Sequence, residues 1–161
     1  MKGAEFFPYG VIEPAKNIEI TDRILDEYFG ISKLLGIKSY LGFGTCLGLY
    51  RDKGYIEGDN DLDVIAVVSS AKEVIGLIDA LRRNEFIKGF SHPMPMNNTH
   101  FHKNKILLDV YFRSEGGYYQ GEDELMYKDK KYPIPHLVEE YLSKCYTDWK
   151  VKADETSRYT G

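Results

Sequence analysis

The sequence contains little cysteine and no long apolar segment. Its two cysteines, Cys46 and Cys145, lie far apart along the chain. This spacing excludes a disulfide-stapled secreted scaffold and a cysteine-rich zinc site. No segment approaches the roughly 20 apolar residues that a membrane-spanning helix needs, and the first residues carry no secretory apolar core. We therefore expect a cytoplasmic protein without a transmembrane segment.

The sequence also lacks the excess of positive charge that is typical of nucleic-acid-binding proteins. Its formal net charge is -4 and its pI is near 5.6, so we do not expect a nucleic acid polymer as partner. Disorder is excluded as well, because 43% of the residues are hydrophobic and 14% are aromatic. The length of 161 residues predicts a single domain over 1–161, with 1–17 as an N-terminal arm and 150–161 as a tail.

Hydrophobic periodicity predicts helices alternating with strands, and therefore an α/β (α+β) fold with a mixed sheet. Helices are predicted from a cap at Thr21 or Asp22 to about Gly36, from Ser69 or Ser70 to 84, and over 136–145, with a helical turn at 46–50. Strands are predicted over 39–43, 64–68, 86–90 and 126–132, with a hairpin formed by 99–102 and 105–112 that turns at 103–104.

Two aspartates precede the most apolar predicted strand. Asp61 and Asp63 lie two residues apart and run into 64–68, so both side chains should project from the same face of the sheet. Like charges held this close repel each other, and a divalent cation relieves the repulsion. A site built only from carboxylates suits Mg²⁺ or Mn²⁺ better than Zn²⁺. A glycine-rich turn at Gly44-Thr45 precedes the pair, and glycine lets the backbone approach a phosphate closely.

A third aspartate, Asp109, is one carboxylate inside the otherwise apolar strand 106–112. Burying a lone charge costs several kcal/mol unless a partner or a metal compensates. Asp109 therefore completes a candidate phosphoryl-transfer site with Asp61 and Asp63, and it is the best candidate to accept the proton of an acceptor hydroxyl. An internal salt bridge to Arg51 or Lys105 is the alternative interpretation of Asp109.

Several other residues have two interpretations. Asp59 fits a position near the metal and a turn after glycine equally well. Arg51 fits a phosphate contact or a structural ion pair. The histidines His92, His100 and His102, of which the last two share one strand face, fit metal ligands less well than ordinary strand or hairpin histidines. The aromatic residues Tyr55, Tyr146 and Trp149 fit stacking on a base or sugar less well than packing in the core.

The ordered set of glycine turn, Asp-x-Asp and distal Asp resembles the nucleotidyltransferase superfamily. More narrowly, the chain resembles the LicD family, which includes bacterial phosphorylcholine transferases, fukutin and fukutin-related protein. The similarity spans about residues 20–150, and it is carried by 42–51, 53–56, 59–64, 109–110, 132–135, 140–142 and 146–149. The chain reads Gly-Asp-Asn-Asp at 58–61, where the family carries an aromatic residue and three carboxylates.

The resemblance implies an enzyme with a mixed, twisted nucleotidyltransferase-like sheet flanked by helices. It implies transfer of a phosphocholine- or alditol-phosphate-like group from a CDP-activated donor, such as CDP-choline, to a sugar or glycan hydroxyl. The metal and catalytic residues would be Asp61, Asp63 and Asp109, binding Mg²⁺ or Mn²⁺, and the contacts to the donor phosphates would come from Gly44, Thr45 and Arg51. Two alternatives are a nucleotidyltransferase that adds NMP from an NTP to a small molecule or protein, and a non-catalytic nucleotide-binding module.

Overall fold

The computed structural model of the chain describes residues 10–152, in which helices and strands are mixed along the first half and five strands follow one another in the second. The helices are α1 (Ile18–Leu34), α2 (Phe43–Leu47), α3 (Ala71–Arg83) and α4 (Val138–Cys145), with a 3-10 turn at Pro14–Lys16 and a π-helical segment at Gly48–Asp52. The strands are β1 (Ser39–Leu41), β2 (Asp61–Val67), β3 (Ile87–His92), β4 (Asn98–Lys103), β5 (Ile106–Arg113), β6 (Glu124–Tyr127) and β7 (Lys130–Pro133).

Five strands form one mixed sheet in the order β1-β2-β5-β4-β3, and β6 pairs with β7 in a separate two-stranded sheet. The central pair, β2 and β5, is parallel. The other neighbours in the large sheet are antiparallel. The predicted mixed α/β fold with flanking helices is confirmed.

The two faces of the central strands differ in chemistry. The even-numbered residues of β2 and β5 belong to the hydrophobic core, together with Leu77 and Leu81 of α3 and Tyr28 of α1. The odd-numbered residues project from the opposite face, because side chains alternate along a strand. This second face is covered at β2 by the start of α2, where a Cβ added at Gly42 would lie 2.9 Å from the Ile65 side chain. The sheet therefore separates an apolar layer from a polar one.

Two predicted boundaries move toward the N-terminus. The helix α1 begins at Ile18 rather than after Thr21, whose hydroxyl donates to the carbonyl oxygens of Asn17 and Pro14. The strand predicted over 39–43 ends at Leu41, and the helical turn predicted at 46–50 begins at Phe43. The cap at Ser70 is as expected, since its hydroxyl accepts a hydrogen bond from the Glu73 amide.

Two of the hairpins, β4–β5 and β6–β7, turn through two residues in the left-handed conformation. The turn between β4 and β5 is Asn104–Lys105, with φ of 52° and 67°, one residue later than predicted. The region predicted as a single strand over 126–132 is instead the β6–β7 hairpin, which turns at Lys128–Asp129 with φ of 48° and 66°. Turns with positive φ at both positions match the twist of antiparallel strands, and Asn-Gly is their usual sequence signal. Neither turn carries that signal.

The last helix begins at Val138 rather than at 136, because Leu137 is in the left-handed conformation with φ of 54°. At the other end, the amide of Ile12 donates to the Lys105 carbonyl oxygen and joins the predicted arm to the β4–β5 turn. The rest of the predicted arm, 1–9, and most of the predicted tail, 153–161, lie outside the described residues. Within 10–152, no helix is both long and apolar enough to cross a membrane.

Candidate functional site

The three predicted aspartates meet at the centre of the sheet. Asp61 and Asp63 lie two residues apart on β2, and Asp63 is the direct register partner of Asp109 on the parallel strand β5. One carboxylate oxygen from each of the three residues lies within 4.8 Å of the others. Alternation along β2 and the pairing of two central strands are enough to produce this cluster.

The site concentrates negative charge in a buried place. Asp63 is 8% exposed and Asp109 is 4% exposed. Burial raises the pKa of Asp63 well above its usual value, and the charges of Asp61, Asp109 and Asp59 raise it further. Burial, followed by the charges of Asp109 and Asp59, raises the pKa of Asp61 to about 7. Without a cation, the fully ionised cluster is therefore unfavourable.

A fourth carboxylate, Asp59, lies beside the cluster because position 44 is glycine. A Cβ added at Gly44 would be 2.5 Å from the Asp59 Oδ2 atom and 3.8 Å from the Asp63 Oδ2 atom. The backbone of Gly44 also hydrogen-bonds Asp63 and lowers the pKa of that carboxyl against the effect of burial. In the structure, the missing side chain at 44 thus makes room for a carboxylate.

The residue after this glycine ties α2 to β2. The Thr45 hydroxyl oxygen accepts a hydrogen bond of 2.8 Å from the Asp63 amide, and the Asp63 carbonyl oxygen accepts one of 3.0 Å from the Gly42 amide. The amide of Phe43 donates to the Tyr141 hydroxyl oxygen at 3.0 Å. These bonds fix the start of α2 against the acidic strand. Contact of Gly44 and Thr45 with donor phosphates stays a prediction.

Arg51 lies in a different environment. Its guanidinium donates to both carboxylate oxygens of Asp52, at 2.8 and 2.9 Å, and to the Trp149 carbonyl oxygen at 2.8 Å. It lines a cavity of about 630 Å³ to which Tyr55 also contributes, and none of the three clustered aspartates lines that cavity. The structural ion pair weighed for Arg51 is thus present, and its phosphate contact stays a prediction.

Asp109 has neighbours that sequence reasoning missed. The Asn98 side-chain amide donates to the Asp109 Oδ1 atom at 2.7 Å, and the His100 Nδ1 atom lies 3.4 Å from the same oxygen. The contacts of Asp109 are thus with Asn98 and His100 rather than with the predicted Arg51 or Lys105. Burial still raises its pKa, while His100, Asn98 and a hydrogen bond from Tyr111 oppose the rise.

The position of His100 beside Asp109 follows from the register of the β4–β5 hairpin, which is the signal that could have identified it. The observed turn pairs His100 directly with Asp109. The turn predicted one residue earlier would have placed Asn98 there instead. Within 10–152, the group of side chains suited to a metal contains the three aspartates and no histidine.

Aromatic side chains border the acidic cluster. Tyr111 follows Asp109 on the same strand face, and its ring lies 4.6 Å from that of Phe43 between centroids. Both residues are half-buried. Tyr146 and Trp149 are buried in the core, as their more common interpretation predicted.

The fold and the site define a class of protein: an α/β domain whose central parallel strands present clustered carboxylates suited to metal-assisted phosphoryl chemistry. Residues 36–144 match the family described as LicD/FKTN/FKRP, nucleotidyltransferase domain. The chain belongs to this family, whose members are transferases. No curated protein matches the chain. The matched segment includes the glycine turn, Arg51 and all three clustered aspartates.

Proposed function

We propose that the chain is a metal-dependent transferase that moves a phosphate-linked group from a CDP-activated donor to a sugar or glycan hydroxyl. The observation that carries the proposal is the meeting of Asp61, Asp63 and Asp109 within 4.8 Å on two parallel strands. The family membership supports a transferase that handles phosphorylcholine-like groups. A phosphocholine- or alditol-phosphate-like group is the expected cargo.

The donor set fits Mg²⁺ or Mn²⁺. Asp61, Asp63 and Asp109 offer only carboxylate oxygens, which hard divalent cations prefer. Burial and mutual repulsion raise the pKa values of Asp61 and Asp63, and both effects are relieved when a cation binds. The buried Asn98 amide donates to Asp109, and among residues 10–152 its carbonyl oxygen has no hydrogen-bond partner. When bound, the cation neutralises charge on the phosphates of the donor.

Residues of the chain would then accept the proton of the acceptor hydroxyl and bind the donor phosphates. Asp109 would accept the proton of the acceptor hydroxyl, because a buried carboxylate with a raised pKa is a better base than an exposed one. Gly44 and Thr45 would lie along the donor phosphates at the start of α2. Arg51 would contribute a planar cation only by exchanging its hydrogen bonds with Asp52 and Trp149 for phosphate oxygens.

Donor choice tests the proposal against its nearest alternative. The protein is incubated with a panel of sugar, glycan and protein acceptors in the presence of Mg²⁺ or Mn²⁺, together with CDP-choline or CDP-ribitol and separately with a panel of NTPs. Release of CMP is the expected result, whereas release of pyrophosphate would indicate an NMP-adding nucleotidyltransferase. Calorimetry with CDP-choline provides the matching binding measurement, and a lack of metal-dependent binding by every cytidine nucleotide would overturn the proposal. If the wild-type chain released neither CMP nor pyrophosphate and Asp109→Asn left metal-dependent nucleotide binding unchanged, a non-catalytic module would be favoured.

A further inference from the structure

Two polar side chains of β4 converge on a single oxygen of Asp109. Asn98 and His100 lie two residues apart, so they project from the same face of the sheet as Asp109. The Asn98 Nδ2 atom is 2.7 Å from the Asp109 Oδ1 atom, and the His100 Nδ1 atom is 3.4 Å from it. The hydrogen bond from Asn98 and the close ring nitrogen of His100 both lie at this one oxygen, where they restrict the rotation of the carboxylate.

The ring of His100 is itself held at both nitrogens. Its Nδ1 atom faces the carboxylate of Asp109, and its Nε2 atom lies 3.1 Å from the Nε2 atom of His92 on the neighbouring strand β3. A nitrogen that faces a carboxylate carries the proton, so the Nε2 atom of neutral His100 accepts a hydrogen bond from His92. His92 is in turn packed against the Phe90 ring, with 4.9 Å between centroids. The chain from β3 to β5 therefore fixes the orientation of His100.

The side-chain amide of Asn98 uses its nitrogen to contact Asp109 and leaves its own carbonyl oxygen without a hydrogen bond from the described residues. The residue is 1% exposed, and its carbonyl oxygen is buried without a hydrogen-bond partner in the part of the chain that the structure describes. An unsatisfied buried acceptor is unfavourable. The amide nevertheless points its donor group at Asp109, where a hydrogen bond to a charged oxygen is stronger than one to a neutral group.

We propose that Asn98 and His100 are positioning residues that hold the Asp109 carboxylate in the orientation that binds the metal, and that His92 holds His100. The inference rests on the proposed metal-dependent function. Hydrogen bonds to a ligating carboxylate orient the ligand before the metal arrives, and their loss typically weakens metal binding about 10- to 100-fold.

The test uses two substitutions of His100 that place the hydrogen-bond-donating nitrogen of the side chain in different positions. In His100→Asn, the side-chain amide nitrogen takes the place of the Nδ1 atom and can still donate to Asp109. In His100→Gln, the amide nitrogen takes the place of the Nε2 atom and cannot. Binding of Mn²⁺ alone to the full chain is measured by calorimetry, and the melting temperature of the metal-free protein is recorded for each variant. We expect His100→Asn to bind Mn²⁺ close to wild-type affinity and His100→Gln to bind it about 10- to 100-fold more weakly.

A second pair keeps the inference testable if a His100 variant does not fold. His92 lies on the edge strand β3 and contacts His100 through its Nε2 atom. We therefore expect the reverse order here, with His92→Gln close to wild type and His92→Asn weaker in Mn²⁺ binding.

Each outcome decides the inference. If the wild-type chain binds Mn²⁺ and both members of each foldable pair match it, the positioning role is overturned and the proposed function stands. Equal losses within a pair would also overturn the positioning role, because donor placement would then not matter. A wild-type chain that binds no Mn²⁺ would overturn the inference and the metal-dependent function together.

Discussion

At the scale of single residues, Gly44 is the position where one added carbon atom should weaken metal binding without preventing folding. A Cβ at 44 would meet the Asp59 Oδ2 atom at 2.5 Å, so Gly44→Ala must displace that carboxylate from the acidic cluster. A side chain can move away, so we expect the variant to fold. The displaced charge and the disturbed backbone bond to Asp63 should weaken Mn²⁺ binding about 10-fold or more, as measured by calorimetry.

Gly30 provides the matched control for this substitution. It lies inside α1, and an added Cβ would meet nothing within 4 Å. Gly30→Ala should leave Mn²⁺ affinity unchanged and stabilise the fold by about 0.5–1 kcal/mol, because alanine loses less backbone entropy in a helix. If Gly44→Ala bound Mn²⁺ as well as Gly30→Ala does, the close approach of Asp59 would have no role in the site.

Asp63 is the residue whose charge should matter most to the metal-free protein. Its carboxylate is 8% exposed and is repelled by the charges of Asp61, Asp109 and Asp59. We expect Asp63→Asn to raise the metal-free melting temperature at pH 8, because it removes a buried charge at nearly constant volume, and to abolish Mn²⁺ binding. Asp79→Asn, on the exposed side of α3, is the control and should change neither quantity. A metal-free melting temperature below that of the wild type would contradict the prediction.

At the scale of elements, the sequence predicts strands and helices better than it predicts the register between them. The pair Asp61 and Asp63 was predictable, because it depends only on alternation along one strand. Asp109 was predictable from its isolation among apolar neighbours. His100 was not, since its place depends on the turn at Asn104–Lys105, and a shift of one residue exchanges one cross-strand partner for another.

The same reasoning explains the missed β6–β7 hairpin. Its turn residues Lys128 and Asp129 both adopt positive φ, a conformation that is uncommon in lysine and more frequent in aspartate. Asp129 without a neighbouring glycine is only a weak signal for dividing the segment into two strands. Packing supplies what the turn sequence lacks, because Leu125, Tyr127 and Tyr132 of the hairpin all belong to the core cluster.

The π-helical segment Gly48–Asp52 offers a prediction of its own. A Cβ at Gly48 would lie 2.5 Å from the Gly54 carbonyl oxygen, 3.1 Å from the Ile56 Cγ1 atom and 3.2 Å from the Ile56 amide nitrogen, so the closest neighbour is a backbone atom. Backbone cannot rotate away as the Asp59 side chain can. We expect Gly48→Ala to destabilise the fold by about 1–3 kcal/mol in denaturant unfolding, in contrast to Gly44→Ala. Equal stability of the two variants would show that the segment shifts freely.

At the scale of the whole molecule, the acidic cluster opposes folding when its carboxylates are ionised. The parallel pairing of β2 and β5 places Asp63 directly beside Asp109, in a sheet whose other face is the hydrophobic core. The core must therefore hold together carboxylates that repel each other. This arrangement links the stability of the entire chain to the occupancy and the protonation of one site.

The linkage predicts how stability should change with pH. The pKa of Asp61 is about 7 in the folded protein against an ordinary value of 3.8, and that of Asp63 is also raised. Between about pH 4 and pH 7 the folded state therefore binds more protons than the unfolded state, so these groups make the metal-free protein less stable as pH rises through this window. Because other carboxylates titrate in the same range, the informative quantity is the difference in melting temperature between the wild type and Asp63→Asn.

Measured in EDTA, the melting temperature of Asp63→Asn should exceed that of the wild type by little at pH 5 and by more at pH 8, which lies above the pKa of about 7 of Asp61. At pH 8, saturating Mn²⁺ should raise the melting temperature of the wild type above that of Asp63→Asn. The cation binds the ionised carboxylates of the wild-type chain and stabilises only the folded state. The rise in the wild-type melting temperature that Mn²⁺ produces should be smaller at pH 5, where protons compete with the cation for the same carboxylate oxygens. A Mn²⁺ gain that is the same at both pH values would place the bound ion away from Asp61 and Asp63.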